Sequence, residues 1–262
     1  MKLDRKYGPP ILITLILLGA HWTAGVLRSY LAIALAIGCA LAADLLVGRL
    51  LLRERHPLAS AYISGISVGI LVRSPVLWPY AIGALLSIFS KYVLRLKGQH
   101  LWNPSNFGIC VLLFTAPWAV APLSVQWGND LWPMLVIWAI GIFAVWRAGR
   151  AHITLAYLAA FIVLAFIRSL ITGHTFLAEV APLTGPMYQL FALFMVTDPK
   201  TTLTSRRGSI VVVCIVAVME TVLRLFEVVY APFYALFLVG PAALALETLT
   251  GRNPGPDRAS HT

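Results

Sequence analysis

The residues whose types and spacing could do chemistry lie in two short polar strings set in apolar sequence. The first closes the stretch Leu183–Thr202, which opens on Thr184-Gly185-Pro186 and runs into Thr197-Asp198-Pro199-Lys200-Thr201-Thr202. A Gly-Pro break and an acidic-Pro stop leave backbone groups without helical partners, and in lipid such groups persist only where protein or a polar cavity satisfies them. The second runs from Lys91, Arg95, Lys97 and His100 into Asn103-Pro104-Ser105-Asn106-Phe107-Gly108. Asn and Ser cap helix starts, and a helix N-terminus facing a pocket favours anionic or carbonyl groups. Cradling a phosphate is one reading of this string. A positively charged loop leading into a capped helix is the other, and both stay open.

Ionisable residues inside apolar spans are costly and are candidate functional groups. Asp44 stands alone among Ala42, Ala43, Leu45 and Leu46, as a cation ligand, a proton carrier or the partner of a distant arginine. Glu220, Arg224 and Glu227 follow at helical spacing, which places them on one face as a self-neutralising structural cluster. Asp198, Ser64 and Thr184 complete the candidates for an ion path. Glu179 lies near the start of its span. The histidines, at 21, 56, 100, 152, 174 and 261, have no paired spacing suited to a haem or metal between helices. Cys39, Cys110 and Cys214 are isolated core positions, and no metal site is expected.

The elements that must position these residues follow from composition. With 262 residues, 60% hydrophobic and 11% charged, and a mean hydropathy of +0.84, the chain reads as an all-α integral membrane protein. Apolar spans occupy 9–27, 30–48, 58–72, 76–94, 106–124, 131–146, 152–171, 176–196, 209–226 and 229–248, about ten in all. The third is shorter than the roughly 20 residues a spanning helix needs. On this count sixteen of the twenty Lys and Arg fall on the N-terminal side, leaving Arg28, Arg73, Arg168 and Arg224 opposite. Both termini are therefore expected in the cytoplasm, with the chain in the cell's inner (plasma) membrane and no affinity for nucleic acid implied by its charge of +10. The first apolar stretch reads as a retained anchor. Tryptophan and tyrosine at span ends form an interfacial belt.

The third span, with Ser64-Gly65 and then Arg73-Ser74-Pro75, echoes the eighth, with Thr184-Gly185 and then Thr197-Asp198-Pro199. Five spans separate them, so the copies run in opposite directions. Interrupted helices in inverted repeats are the plan of many transport folds. The expectation is two inverted five-helix halves, 1–127 and 128–248, with helices interrupted near 64–75 and 182–199 and a disordered cytoplasmic tail over 249–262.

At its polar strings the chain resembles the membrane subunits B of the sodium-pumping NADH:quinone reductase (NqrB) and D of the Rnf electron-transport complex (RnfD). The resemblance rests on Thr184-Gly185, on Phe191 through Thr202, and on Gly98 with Asn103-Pro104-Ser105-Asn106-Phe107, with Ser64-Gly65, Gly69 and Pro75 in the third span. It is most similar to short stand-alone members called UnbU-like, over roughly residues 55–210. The resemblance implies a ten-helix inverted-repeat fold and transmembrane electron transfer through flavin, coupled in larger complexes to sodium movement and quinone reduction. Taken with the basic and capping residues read above, the candidate cofactor contacts are Lys97, Asn103, Asn106, Thr184, Gly185, Asp198, Lys200 and Thr201. The family's Ser-Gly-Ala-Thr flavin-attachment motif is missing, and Ser64-Gly65-Ile66-Ser67 lies inside the third span. Covalent FMN is therefore not expected, which leaves a noncovalent flavin, a quinone or no cofactor.

The leading expectation is a membrane subunit that supports flavin- or quinone-linked electron transfer with partner subunits, itself catalytic or not. The alternatives are a small-solute or ion permease with its pore between Ser64-Gly65 and Thr184-Gly185, and a membrane scaffold for a partner protein.

Overall fold

A computed structural model describes residues 8–24, 29–51, 58–122, 131–198 and 201–250. Lys200, the loop 123–130 and most of the C-terminal tail lie outside the described residues. Helices dominate, as the composition requires. They are α1 (Gly8–Ala24), α2 (Tyr30–Ala43, continued by a π-helix over Asp44–Leu51), α3 (Leu58–Leu71), α4 (Trp78–Val93), α5 (Pro104–Thr115), α6 (Leu131–Arg147), α7 (Ala151–Thr172) and α8 (Phe176–Val180). After a 3-10 turn over Ala181–Thr184 come α9 (Pro186–Leu190, continued by a π-helix over Phe191–Met195), α10 (Arg206–Leu225) and α11 (Ala231–Leu249). Among the described residues, four stretches are long and apolar enough to cross a membrane: Tyr30–Gly48, Ala151–Thr172, Arg206–Leu225 and Ala231–Leu249. Shorter apolar helices accompany them, including Leu58–Leu71, Pro104–Thr115, Met134–Arg147 and Pro186–Met195.

Exposure along α7 identifies the solvent these helices are built for. Arg168, its most polar side chain, is 1% exposed, whereas Leu170 is 71% exposed. On α10 Glu220 is fully buried while Val211, Ile215, Val218 and Val222 face outward. In water this arrangement would expose a large apolar surface and bury charge. In a bilayer it does the reverse, keeping charge inside the protein and hydrocarbon against lipid.

Packing follows the same logic. Helix α2 lies against α3 and α4, and α4 against α5; α7 lies against α10, and α10 against α11. Helix α1 meets α6, and α5 meets α11. Gly65 allows the closest approach of α3 to α2: a Cβ there would stand 2.7 Å from the Ile37 Cα and 2.9 Å from the Ala36 carbonyl oxygen. Gly108 plays the same part between α5 and α4, where a Cβ would come within 2.4 Å of the Gly83 carbonyl oxygen and the Ser87 hydroxyl. Small residues at helix crossings let dispersion forces act between backbones where no hydrophobic drive exists.

The two expected interruptions differ in kind. Ser64 and Gly65 lie within continuous α3, so the first break falls later, where the helix ends at Leu71 and passes into strand β1 (Val72–Arg73). This strand pairs antiparallel with β4 (Ala121–Pro122), Val72 opposite Pro122 and Arg73 opposite Ala121, which supplies backbone partners to an extended segment. Between them, β2 (Arg95–Leu96) and β3 (Gln99–His100) form a hairpin turned by Lys97 and Gly98, both at positive φ. The second break does occur at Gly185, whose backbone is extended at φ −84° and ψ 145°. The sequence difference explains both outcomes. Pro186 disfavours the helical conformation for the residue before it, whereas Gly65 is followed by Ile66.

Candidate functional site

The two polar strings meet. Asn103 caps α5, its side-chain oxygen accepting from the Asn106 backbone N–H at 3.1 Å, and its amide nitrogen donates to Asp198 Oδ2 at 3.0 Å. A single asparagine thus starts one helix and holds the acid that closes the other string, 95 residues away. The Asp198 carbonyl accepts from the backbone N–H of Thr201 at 3.3 Å and of Thr202 at 3.1 Å, and from the Thr202 hydroxyl. The Arg150 guanidinium, at the start of α7, donates to that hydroxyl, and the charge of Asp198 acts on Arg150. An asparagine, a carboxylate, an arginine and two threonines from three chain segments therefore share one end of the bundle. Arginine with hydroxyls is a donor set suited to phosphate or carbonyl oxygen.

Other residues of the strings serve α11. Pro241 lies inside that helix and has no N–H to give to the carbonyl four residues earlier, that of Phe237. The Trp102 indole N–H donates to that carbonyl at 2.8 Å. The Asn106 amide donates to the Phe233 carbonyl at 3.2 Å, and Lys97 Nζ to the Thr248 carbonyl at 3.0 Å. These bonds staple the α4–α5 hairpin along α11. Thr184 donates to the Ala181 carbonyl within its own 3-10 turn, Gly185 donates to the Pro182 carbonyl at 3.0 Å, and Ser64 donates to the Ser60 carbonyl one turn back. The described bonds of Ser64 and Thr184 are thus local to their own segments.

Asp44 does have a partner, a lysine 47 residues away in sequence but adjacent in space. Lys91 Nζ lies 2.5 Å from Asp44 Oδ1, and the Tyr92 hydroxyl donates to the same oxygen at 2.8 Å. Gly48 makes room for that hydroxyl, since a Cβ there would stand 2.2 Å from it. Both charges are buried, so the pair reads as an interior link between α2 and α4.

A second buried network lies in the other half. Glu220 accepts from the Tyr157 hydroxyl at 2.6 Å, the Tyr188 hydroxyl at 2.7 Å and Arg224 Nε at 3.0 Å. Arg224 also donates to the Tyr188 hydroxyl. Arg168 donates to Glu179 Oε2 at 2.8 Å and to the Thr221 hydroxyl at 3.0 Å, and stacks over Phe161. His174 reaches the other oxygen of Glu179 at 3.1 Å. The expected cluster is thus corrected in one member. Glu227 lies past the end of α10 at φ 59°, where helical spacing no longer sets its direction. Tyr157 and Tyr188 take the place assigned to it.

Gln189 was not legible as a candidate. It is 1% exposed on α9, beside the break, and neither amide atom has a hydrogen-bond partner among the described residues. A polar side chain in an apolar span was the available signal.

No protein-family model matches the chain, and no curated protein matches it.

Proposed function

We propose that the chain is a ten-helix membrane subunit of two inverted halves that supports transmembrane electron transfer linked to a noncovalent flavin or a quinone, in the manner of the NqrB/RnfD-like proteins it resembles. The observation that carries the reading is the Asn103–Asp198 contact, which joins the two strings on which that resemblance rests. The packing supports the inverted halves. Under an exchange of α1 with α6, α2 with α7, α4 with α10 and α5 with α11, the pairs α2–α4 and α4–α5 become α7–α10 and α10–α11, while α1–α6 and α5–α11 map onto themselves. On this reading the bundle end that carries Asn103 and Asp198 faces the cytoplasm of a plasma-membrane protein, and partner subunits supply or accept the electrons. Arg150, Thr201 and Asn103 would hold the polar atoms of the cofactor, with Lys200 adjoining in sequence; the redox chemistry would be the cofactor's own. Asp198 fixes Asn103 and the Thr201–Thr202 turn.

The test is the visible absorption spectrum of the gently extracted protein, followed by acid precipitation, with lipid extracts assayed for quinone. The reading expects a flavin released to the supernatant or a quinone in the extract, and loss of most of it in Asp198→Asn with expression retained. Neither chromophore nor quinone in wild-type protein would overturn it.

A further inference from the structure

We propose that the groove between the first turns of α1 and α3 binds an uncharged lipid alcohol of the diacylglycerol kind, whose hydroxyl donates to the Tyr62 oxygen. The groove has a volume of about 490 Å³, within the range of small-molecule sites. Ile11 and Leu15 of α1, Leu41 of α2, and Leu58 and Ala59 of α3 form its apolar walls. Its hydroxyls are those of Thr14 and Tyr62, which meet at 2.7 Å and join α1 to α3. Ile11 is 42% exposed and Leu15 51%, so the groove opens on the surface that the bundle turns to hydrocarbon.

The direction of the hydrogen bonds selects the ligand. Thr14 Oγ1 donates its one proton to the Pro10 carbonyl at 2.7 Å. The proton between Thr14 and Tyr62 must therefore come from the phenol, which leaves Tyr62 none to give. No described residue donates to the Tyr62 oxygen, whose remaining lone pair is open to a donor. A ligand hydroxyl is complementary to it, whereas an ether or ester oxygen sets lone pair against lone pair. Charge narrows the choice. Among the described residues that line the groove none is charged, so a phosphate would leave water without a counter-ion. Depth agrees with this. Thr14 lies one turn in from Pro10 and Tyr62 one turn in from Leu58, which sets the hydroxyl pair about 5 Å inside the starts of two apolar helices. A lipid with no charged group can lower its hydroxyl to that level, and its chains leave by the open side beside Ile11 and Leu15.

Native mass spectrometry of the intact chain, extracted into micelles that carry equal amounts of dioleoylglycerol and its O-methyl ether, tests the proposal. The two probes share their chains and differ in the donor alone. Wild type should retain the alcohol over the ether by on the order of fivefold, the worth of one net hydrogen bond. Thr14→Val, of nearly the same shape, releases the phenol proton toward the groove, so that the ether oxygen gains a donor. That variant should hold the two probes about equally, with total retention unchanged. Adding Tyr62→Phe removes the remaining hydroxyl and should lower the retention of both. Equal retention of alcohol and ether by wild type, or retention of neither, would overturn the proposal without recourse to any variant. So would a wild-type preference surviving in Thr14→Val, since the proton would not then be committed as the hydrogen bonds require.

Discussion

Replacing Asp44 by alanine is expected to cost about 3–5 kcal/mol of stability, because it strips the carboxylate from an ammonium that has left water. Lys91 is fully buried and lies 2.5 Å from Asp44 Oδ1, with Tyr92 donating to the same oxygen. The expected readout is a large fall in the thermal unfolding midpoint of the detergent-extracted protein. Replacing both partners, Asp44→Leu with Lys91→Met, should restore most of it, since a buried pair exchanged for apolar groups of similar volume is often neutral. If Asp44 instead carried protons or cations, Asp44→Asn would abolish activity and the double variant would stay inactive however stable. A single alanine variant with an unchanged midpoint would contradict the interior link outright.

Glu220→Ala should be of similar size, about 3–5 kcal/mol, for a related reason. It removes the acceptor shared by Tyr157, Tyr188 and Arg224, three donors from three helices. Tyr188 lies one turn past the break at Gly185, so the carboxylate ties the second part of an interrupted helix to α7 and α10. Limited proteolysis should therefore show faster cleavage near Gly185 together with the lower midpoint. Glu220→Gln, which keeps an acceptor oxygen, should cost less. Wild-type stability and cleavage in Glu220→Ala would show that the network does not hold the break in place.

What could be read in the sequence was whatever is local. The apolar runs and their breakers placed most helix ends within a few residues, since a proline or a basic turn ends a helix wherever the chain lies; the exception is the fifth, expected over 106–124, whose helix stops at Thr115 before Ala116-Pro117. Asn103 as a cap and Gly185-Pro186 as a break were legible on the same ground. Partners distant in sequence were not. Asp44 and Lys91 stand 47 positions apart, and nothing in either string names the other. The Phe237 carbonyl could be inferred free from Pro241, but the indole of Trp102 that meets it comes from another helix. Gly65 misled because glycine serves both breaks and close crossings, and only the proline after Gly185 tells the two apart. Glu227 misled because helical spacing was extended beyond the last helical residue, Leu225.

The site itself was half legible. The strings were identifiable by their polarity, and their meeting at Asn103 and Asp198 depends on the fold. That Lys97 and Asn106 would be drawn to the carbonyls of α11 had no signature, since a lysine and an asparagine in a loop look the same whether they face a ligand or a helix.

The most direct test of the inverted halves is the side of the membrane on which the connection between them lies. A pair of reporters, one active only in the cytoplasm and one only outside it, fused after Trp127 gives that answer. The account predicts an outside signal there and a cytoplasmic signal for fusions after Lys97 and Arg147. A cytoplasmic signal after Trp127 would contradict it, because the two halves could not then be inverted with respect to each other.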